Sequence, residues 1–454
     1  MIKIKFRLLM SLAATLLIIL ISGCGNSDKD PISSSDSKYD QLSVAGTIPW
    51  TDPEEDVSAG LIDSLKDRAV KIGMLVEAES DINPMYGAQL AMSEINRSGG
   101  VFGIPMNNPA ENQKRVFGPV LIPDNPIIGG IMGSPIALVV KDNKDNPKLA
   151  ESLTNELIQD GVVAIIGPNY SYSALKVAPI AQRHGIPLVT TTATNPDITK
   201  PGNYVFMASF DDSFQGKVMA QLAYESLRAR TAATLIDRED PYAIGLSRYF
   251  EENFEGQGGK VVAKETYLEG DRDFTSQLTT IAAKAPDVIF MPGFSPEVPI
   301  ALEQARNIPQ ENSTGISATF LGSDGWDDFY FLQQLSQDAG KSNALEGSYF
   351  STPFIPDMVD ESGRDFTKAY KLMFGETPDA AAAIGYDALK LVATAIRRAG
   401  STDKESIRDQ LAATRRYDGA TYIEYYDQNR HPIKNAVIAQ IKDGQFRSFK
   451  IVEP

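Results

Sequence analysis

Beyond residue 69 the chain alternates short runs of β-branched and aliphatic residues with longer stretches in which apolar positions recur every three or four residues. The short runs read as strands and the longer ones as amphipathic helices. Strands are expected over 70–76, 136–141, 162–166 and 186–190, with helices over 85–96, 147–159 and 173–183 between them. A second series follows residue 204, with strands over 232–236, 260–263, 287–291 and 318–321 and helices over 213–228, 243–255, 275–284 and 296–306. Such alternation builds parallel sheets joined by right-handed helical crossovers. The tail changes character, with a long helical stretch over 379–399 and then strands over 422–426 and 436–441 spaced for antiparallel pairing.

The chain has 454 residues, more than one hydrophobic core usually supports. The expected architecture is α/β, two doubly wound Rossmann-like lobes with a ligand cleft between them. Lobe 1 is expected over 68–207 and 352–413, and lobe 2 over 208–351 and 414–454. The chain then crosses near 206–210, 350–354 and 414–418, and parallel crossings restrict motion to opening and closing about one hinge. The stretch 103–134 shows neither period and is rich in Pro, Gly and Asn, so it reads as a long excursion, surface elaboration or a functional loop. No short internal period occurs, which argues against a solenoid.

The amino terminus has a different pattern. Lys3, Lys5 and Arg7 precede an apolar run over 8–21 that ends in Ser22, Gly23 and Cys24. That is a secretion leader over 1–23, shorter than the roughly 20 apolar residues of a membrane span. Cys24 is the only cysteine, so an intramolecular disulfide is excluded. The segment 24–67 is rich in Ser, Asp, Pro and Gly and reads as a flexible tether. The formal net charge is −16, and more negative once the basic leader is removed. With no basic stripe carrying interleaved aromatics, nucleic acid is set aside as a partner.

Ligands of open α/β sheets bind outside the carboxyl ends of strands, where helix N-termini present N–H groups. The run Ile166-Gly167-Pro168-Asn169-Tyr170-Ser171-Tyr172-Ser173 places two serines at such a helix start. Either serine serves as a helix cap or as an anion contact. The loop Thr190-Thr191-Thr192-Ala193-Thr194-Asn195-Pro196 offers hydroxyls for both ends of a zwitterion, or for local turn bonds. Asp324, within Gly322-Ser323-Asp324-Gly325-Trp326, stands at another expected strand end, where an aspartate binds a cation or makes a turn. Trp326 lines the pocket or packs in the core. Tyr386, on the amphipathic face of its helix, reads as core.

At these residues the sequence resembles the type I periplasmic solute-binding proteins of the branched-chain amino acid (Leu/Ile/Val) class, in lipoprotein form. The likeness runs from about Val70 to the C-terminus. It rests on Gly87-Ala88-Gln89-Leu90-Ala91, Glu94-Ile95-Asn96, Gly99-Gly100-Val101, Asp142 before Pro147, Ile166-Gly167-Pro168 before Ser171, Thr192-Ala193-Thr194-Asn195-Pro196, Asp212-Gln215-Gly216 and Gly385-Tyr386-Asp387-Ala388. Leu20-Ile21-Ser22-Gly23-Cys24 resembles a lipobox, which implies a lipid on Cys24, attachment to the cell membrane and exposure on its outer or periplasmic face. The resemblance implies capture of an amino-acid-like ligand for an ABC permease and ATPase complex. It carries the ligand's carboxylate and ammonium to Ser171, Thr192 and Thr194, and second-lobe contacts to Tyr242, Phe294 and Asp324. Phe294 stands where tyrosine is frequent in this class. The loop Glu77-Ala78-Glu79-Ser80-Asp81 departs from the class, and its acids read as a solvated rim or an attraction for a cationic side chain.

Two other readings compete. A sensor subunit would share the fold and pass its closure to a receptor. An exported enzyme has little support, since His184 and His431 are the only histidines and neither has metal-ligand or triad-like spacing. Gly340-Lys341-Ser342 lacks the earlier glycine of a phosphate loop, where Leu335 stands, and Gly129-Gly130-Ile131-Met132-Gly133 lacks dinucleotide spacing. No catalytic residue, cofactor or metal ligand is assigned.

Overall fold

A computed structural model describes residues 69–78, 80–98, 134–309, 314–327, 344–357 and 359–454. The leader, Cys24, the tether, Glu79, Gly99 to Val101, the excursion up to residue 133 and the Gly340-Lys341-Ser342 run lie outside the described residues.

The first lobe is built from β1 (Val70–Val76), α1 (Asn83–Arg97), β2 (Ile136–Asp142), α2 (Pro147–Gln159), β3 (Ala164–Ile166), α3 (Ser171–Arg183), β4 (Leu188–Thr190) and β5 (Val205–Met207). Its sheet is parallel throughout, in the order β2-β1-β3-β4-β5. Strands β3, β4 and β5 are buried at every position, which explains why they read as continuous apolar runs. Successive residues point to opposite faces. Ile165, Leu188 and Val205 join the core beneath α2 and α3, while Ile166, Val189 and Phe206 join the core on the other face.

The second lobe repeats this plan with α4 (Asp212–Gln221), β6 (Thr231–Asp237), α5 (Pro241–Gly256), β7 (Lys260–Tyr267), α6 (Thr275–Ala282), β8 (Val288–Phe290), α7 (Glu297–Ala305), β9 (Thr319–Gly322) and β10 (Tyr349–Thr352). The helix expected to reach residue 228 ends at Gln221 and continues as a π turn, Leu222–Ser226. The parallel order β7-β6-β8-β9-β10 matches the first lobe's order strand for strand, and the sheet is extended by two antiparallel strands at the far end of the chain.

After β10 the chain returns to the first lobe as α8 (Glu361–Phe374), α9 (Ala380–Ala399) and α10 (Lys404–Ala412). Helix α9, capped by Asp379, crosses α1 at very close range. A Cβ on Gly87 would lie 1.8 Å from the Ala382 carbonyl oxygen, and one on Gly385 would lie 2.0 Å from that of Pro84. Two of the motif glycines noted in the sequence therefore permit one helix contact.

The third crossing lies later than residues 414–418. Strands β11 (Arg415–Asp418), β12 (Tyr422–Tyr426) and β13 (Pro432–Ile433) form a separate small antiparallel sheet. Tyr417, Ala420, Ile423 and Tyr426 share the first lobe's core. Only with β14 (Ala436–Lys442) and β15 (Gln445–Val452) does the chain join the second sheet. Lys434, buried in the link from β13 to β14, donates to the Ala208 carbonyl at 3.0 Å and so ties the third crossing to the first.

Candidate functional site

Corresponding strand ends of the two sheets face one cleft. In the first lobe, β3 ends at Gly167, whose φ of 82° and 2.1 Å approach of a would-be Cβ to the Leu75 carbonyl oxygen admit only glycine without strain. Helix α3 then starts at Ser171 with no side-chain cap, so the capping alternative for Ser171 and Ser173 is not met. Ser171 Oγ instead accepts from the Asn195 backbone N–H at 3.3 Å, joining the two loops that the sequence singled out. Thr192 Oγ1 donates to the Asn169 carbonyl at 2.9 Å, which commits its proton to a strut between those loops. Thr194 is different, since its hydroxyl is buried and forms no hydrogen bond of acceptable geometry.

In the second lobe, Asp240 caps α5 and places Tyr242 in its first turn. The Tyr242 hydroxyl donates to Asp324 Oδ1 at 2.5 Å and lies 2.7 Å from Ser323 Oγ. Asp324 Oδ1 also accepts from Gln215 Nε2 at 3.0 Å, while Gln215 Oε1 accepts from the Asp324 backbone N–H at 2.9 Å and from Ser351 Oγ at 2.9 Å. Gln215 is thus a buried clamp that joins α4, β10 and the loop after β9 and sets the orientation of Asp324. Burial pushes the Asp324 carboxyl up to about 6, although the bonds from Tyr242 and Gln215 oppose the rise. The short helical turn that starts at Asp324 has no side-chain cap, and the Asp324 carboxyl also takes backbone N–H bonds from its own turn, at Asp324 and Gly325.

The lobes touch at this point. Phe294, after β8, stacks on Tyr242 with centroids 5.2 Å apart and meets Tyr170 of the first lobe edge-on at 5.3 Å. Asn195 Nδ2 donates to the Pro241 carbonyl at 3.0 Å across the cleft. The first-lobe loops that carry Ser171, Thr192 and Thr194 therefore meet the second-lobe elements that carry Tyr242, Phe294 and Asp324.

One expectation changes, and two alternatives are decided in favour of the core. Glu77 is 0% exposed, accepting from Asn143 Nδ2 at 2.7 Å and from the Asn169 N–H at 2.9 Å, so it braces the first-lobe loop instead of forming a solvated rim. Its desolvation lifts its carboxyl to about 7. Trp326 is a core residue at 0% exposure, with Nε1 donating to the Met291 carbonyl at 3.0 Å. Tyr386 packs in the core and donates to Glu94 at 2.7 Å. His431 lies 3.1 Å from Asp211 and 2.9 Å from Thr199 Oγ1, a link between the third crossing and the first. Among the described residues no cluster suited to a metal ion occurs, and no helix is long and apolar enough to cross a membrane. Sequence reasoning noted Gln215 and Asp212 only as parts of a motif; the polar residue one turn into a helix that opens toward the cleft was the available signal.

Comparisons with known proteins agree with this fold. Residues 69–445 match the family model described as periplasmic binding protein. The leucine-, isoleucine-, valine-, threonine- and alanine-binding protein of Pseudomonas aeruginosa is 25% identical over 331 residues, covering 73% of this chain and 80% of that protein. Among solved structures, a leucine-binding protein from Thermotoga maritima superposes with a TM-score of 0.72 at 29% identity, covering 85% of this chain and 99% of that one. A branched-chain amino acid transporter substrate-binding protein from Streptococcus pneumoniae, solved with isoleucine, gives 0.71 at 30% identity, covering 85% and 100%.

Proposed function

Because the chain belongs to the periplasmic binding protein family, we propose that it is the capture subunit of an ABC uptake transporter, closing on an amino acid and delivering it to a permease and its ATPase. The observation that carries this reading is the meeting of unlike polar groups from two lobes: a helix start without a side-chain cap and hydroxyls on one side, a clamped carboxylate on the other. The ligand's carboxylate lies at the N-terminus of α3 beside Ser171, where N–H groups and the helix dipole favour an anion. Its ammonium lies between Thr194 and Asp324, and its side chain rests against Phe294 and Tyr170. Thr192 acts by holding the loops in register. A ligand that contacts both walls stabilises the closed form, whereas one that contacts a single wall shifts nothing.

A thermal-shift screen with L-leucine, L-isoleucine, L-valine, L-threonine and L-alanine tests this. A true ligand at about 100 times its Kd adds about 2.7 kcal/mol of stability. Absence of any shift across the amino acids, or an equal shift with amine-free isovalerate, overturns the reading. The reading extends to a lipid on Cys24 that holds the subunit at the outer face of the membrane. Cys24→Ala is expected to move the protein from the membrane fraction to the soluble one, and unchanged membrane retention removes the lipid from the account.

A further inference from the structure

We propose that Asp212 is a second carboxylate of the ligand site, bracketing the ligand's ammonium together with Asp324, so that the arriving cation displaces a proton from the acid pair to solvent. The inference rests on the amino-acid reading above and adds a contact and a proton exchange to it.

Asp212 is the first residue of α4 and is 0% exposed. Its backbone N–H donates to the Thr194 carbonyl at 2.9 Å, which fixes it beside the Thr194 hydroxyl. Neither Oδ atom of Asp212 nor Oγ1 of Thr194 forms a hydrogen bond of acceptable geometry. A structural aspartate kept in a core bonds its oxygens, as Asp387 does with Tyr417, Thr421 and the Ala420 N–H. Asp212 faces the second lobe: opposite it on α5 is Gly245, where an added Cβ would lie 4.0 Å from Oδ2 and 3.4 Å from Asn195 Nδ2.

The charged groups acting on Asp212 are acidic. They are Asp324 from the loop after β9, Asp211 at the cap of α4 and Asp240 at the cap of α5, with Tyr242 and Tyr249 on the packed face of α5. The nearby His431 is engaged by Asp211. Burial raises the Asp212 carboxyl well above its ordinary range; the Thr194 hydroxyl beside it opposes the rise, and the charge of Asp324 adds to it. Two desolvated acids without a cation hold a proton, and an ammonium placed between them removes the reason to hold it.

Isothermal titration of L-leucine, L-isoleucine or L-valine into the leaderless chain, in buffers of different ionisation enthalpy, reads the protons exchanged. Net release is expected near about pH 6, with affinity rising across about pH 5 to 8, because the ligand favours the ionised pair. Asp212→Asn is expected to bind at least about tenfold more weakly, as for loss of a bond to a charged group, and to release fewer protons. Asp324→Asn, in which Asp212 is the acid left, is expected to bind weakly and still release protons. Binding by Asp212→Asn with wild-type affinity and proton count, or no release from wild type or from Asp324→Asn, overturns the proposal and leaves the amino-acid reading intact. Failure of the wild-type chain to bind any amino acid overturns both.

Discussion

The two lobes share one strand order, β2-β1-β3-β4-β5 against β7-β6-β8-β9-β10, yet their cleft walls are chemically opposite. The first-lobe wall consists of backbone N–H groups and small hydroxyls held by loop-to-loop bonds. The second-lobe wall consists of an acid, Asp324, fixed by Tyr242 and by Gln215, which belongs to the helix following the first crossing. Topology brings strand ends of both halves together, and in the proposed site residue identity at those ends decides which half of a zwitterion each side receives. A neutral wall of dipoles costs little to bury. An ionised carboxylate costs much more, and the raised Asp324 group registers that cost.

Asp324→Ala breaks the comparison most severely. It leaves a bound ammonium without its second-lobe partner, and binding of L-leucine measured by calorimetry is expected to weaken by roughly 3–5 kcal/mol. Retention of wild-type affinity would show that the second wall does not carry the cation.

A smaller effect appears in the ligand-free chain as a pH dependence. Burial raises Asp324 and Asp240 to about 6 and Glu77 to about 7, against ordinary values of 3.8, 3.8 and 4.5. Between these limits the folded chain binds protons that the unfolded chain does not, so stability is expected to fall as pH rises from about 5 to about 7, by on the order of 1 kcal/mol or more. Asp211, whose carboxyl is lowered because bonds from His431 and Ser213 outweigh its burial, acts only at more acid pH. Thermal unfolding across this range checks the sign, and in Asp324→Asn the slope is expected to be shallower. A melting temperature that climbs from pH 5 to 7 would contradict the desolvated acids.

The smallest effect is expected in the first wall. Ser171→Ala removes one hydroxyl among several N–H donors, and binding is expected to weaken by about 0.5–1.5 kcal/mol. A loss as large as that of Asp324→Ala would mean that the walls are not divided into dipoles and charge.

Much of this plan was legible along the chain. The helix expected over 147–159 is α2, residue for residue, because Asn146, Pro147 and the apolar period state its start locally. The loops bearing Ser171 and Thr194 were legible because a buried strand running into Gly-Pro or into a threonine cluster can only turn there. Other features were hidden. Glu77 looked like a surface acid because its partners, Asn143 and Asn169, are distant in sequence. The proton of the Thr192 hydroxyl was already committed, and Trp326 belonged to the core, for the same reason. The third crossing was placed too early because the alternation of β11 to β13 says that they are strands but not which core receives them.

Local pattern therefore determined the α/β class, the positions of most strands and helices, and the loops that border the cleft, since periodicity, capping and turn chemistry act within a few residues. Tertiary structure decided which polar groups remain free. Whether Thr194 and Asp212 are left only with each other while Thr192 and Gln215 are engaged elsewhere depends on atoms brought together from segments as far apart as residues 215 and 351, and a buried group's charge and hydrogen bonds are set by that assembled surrounding alone.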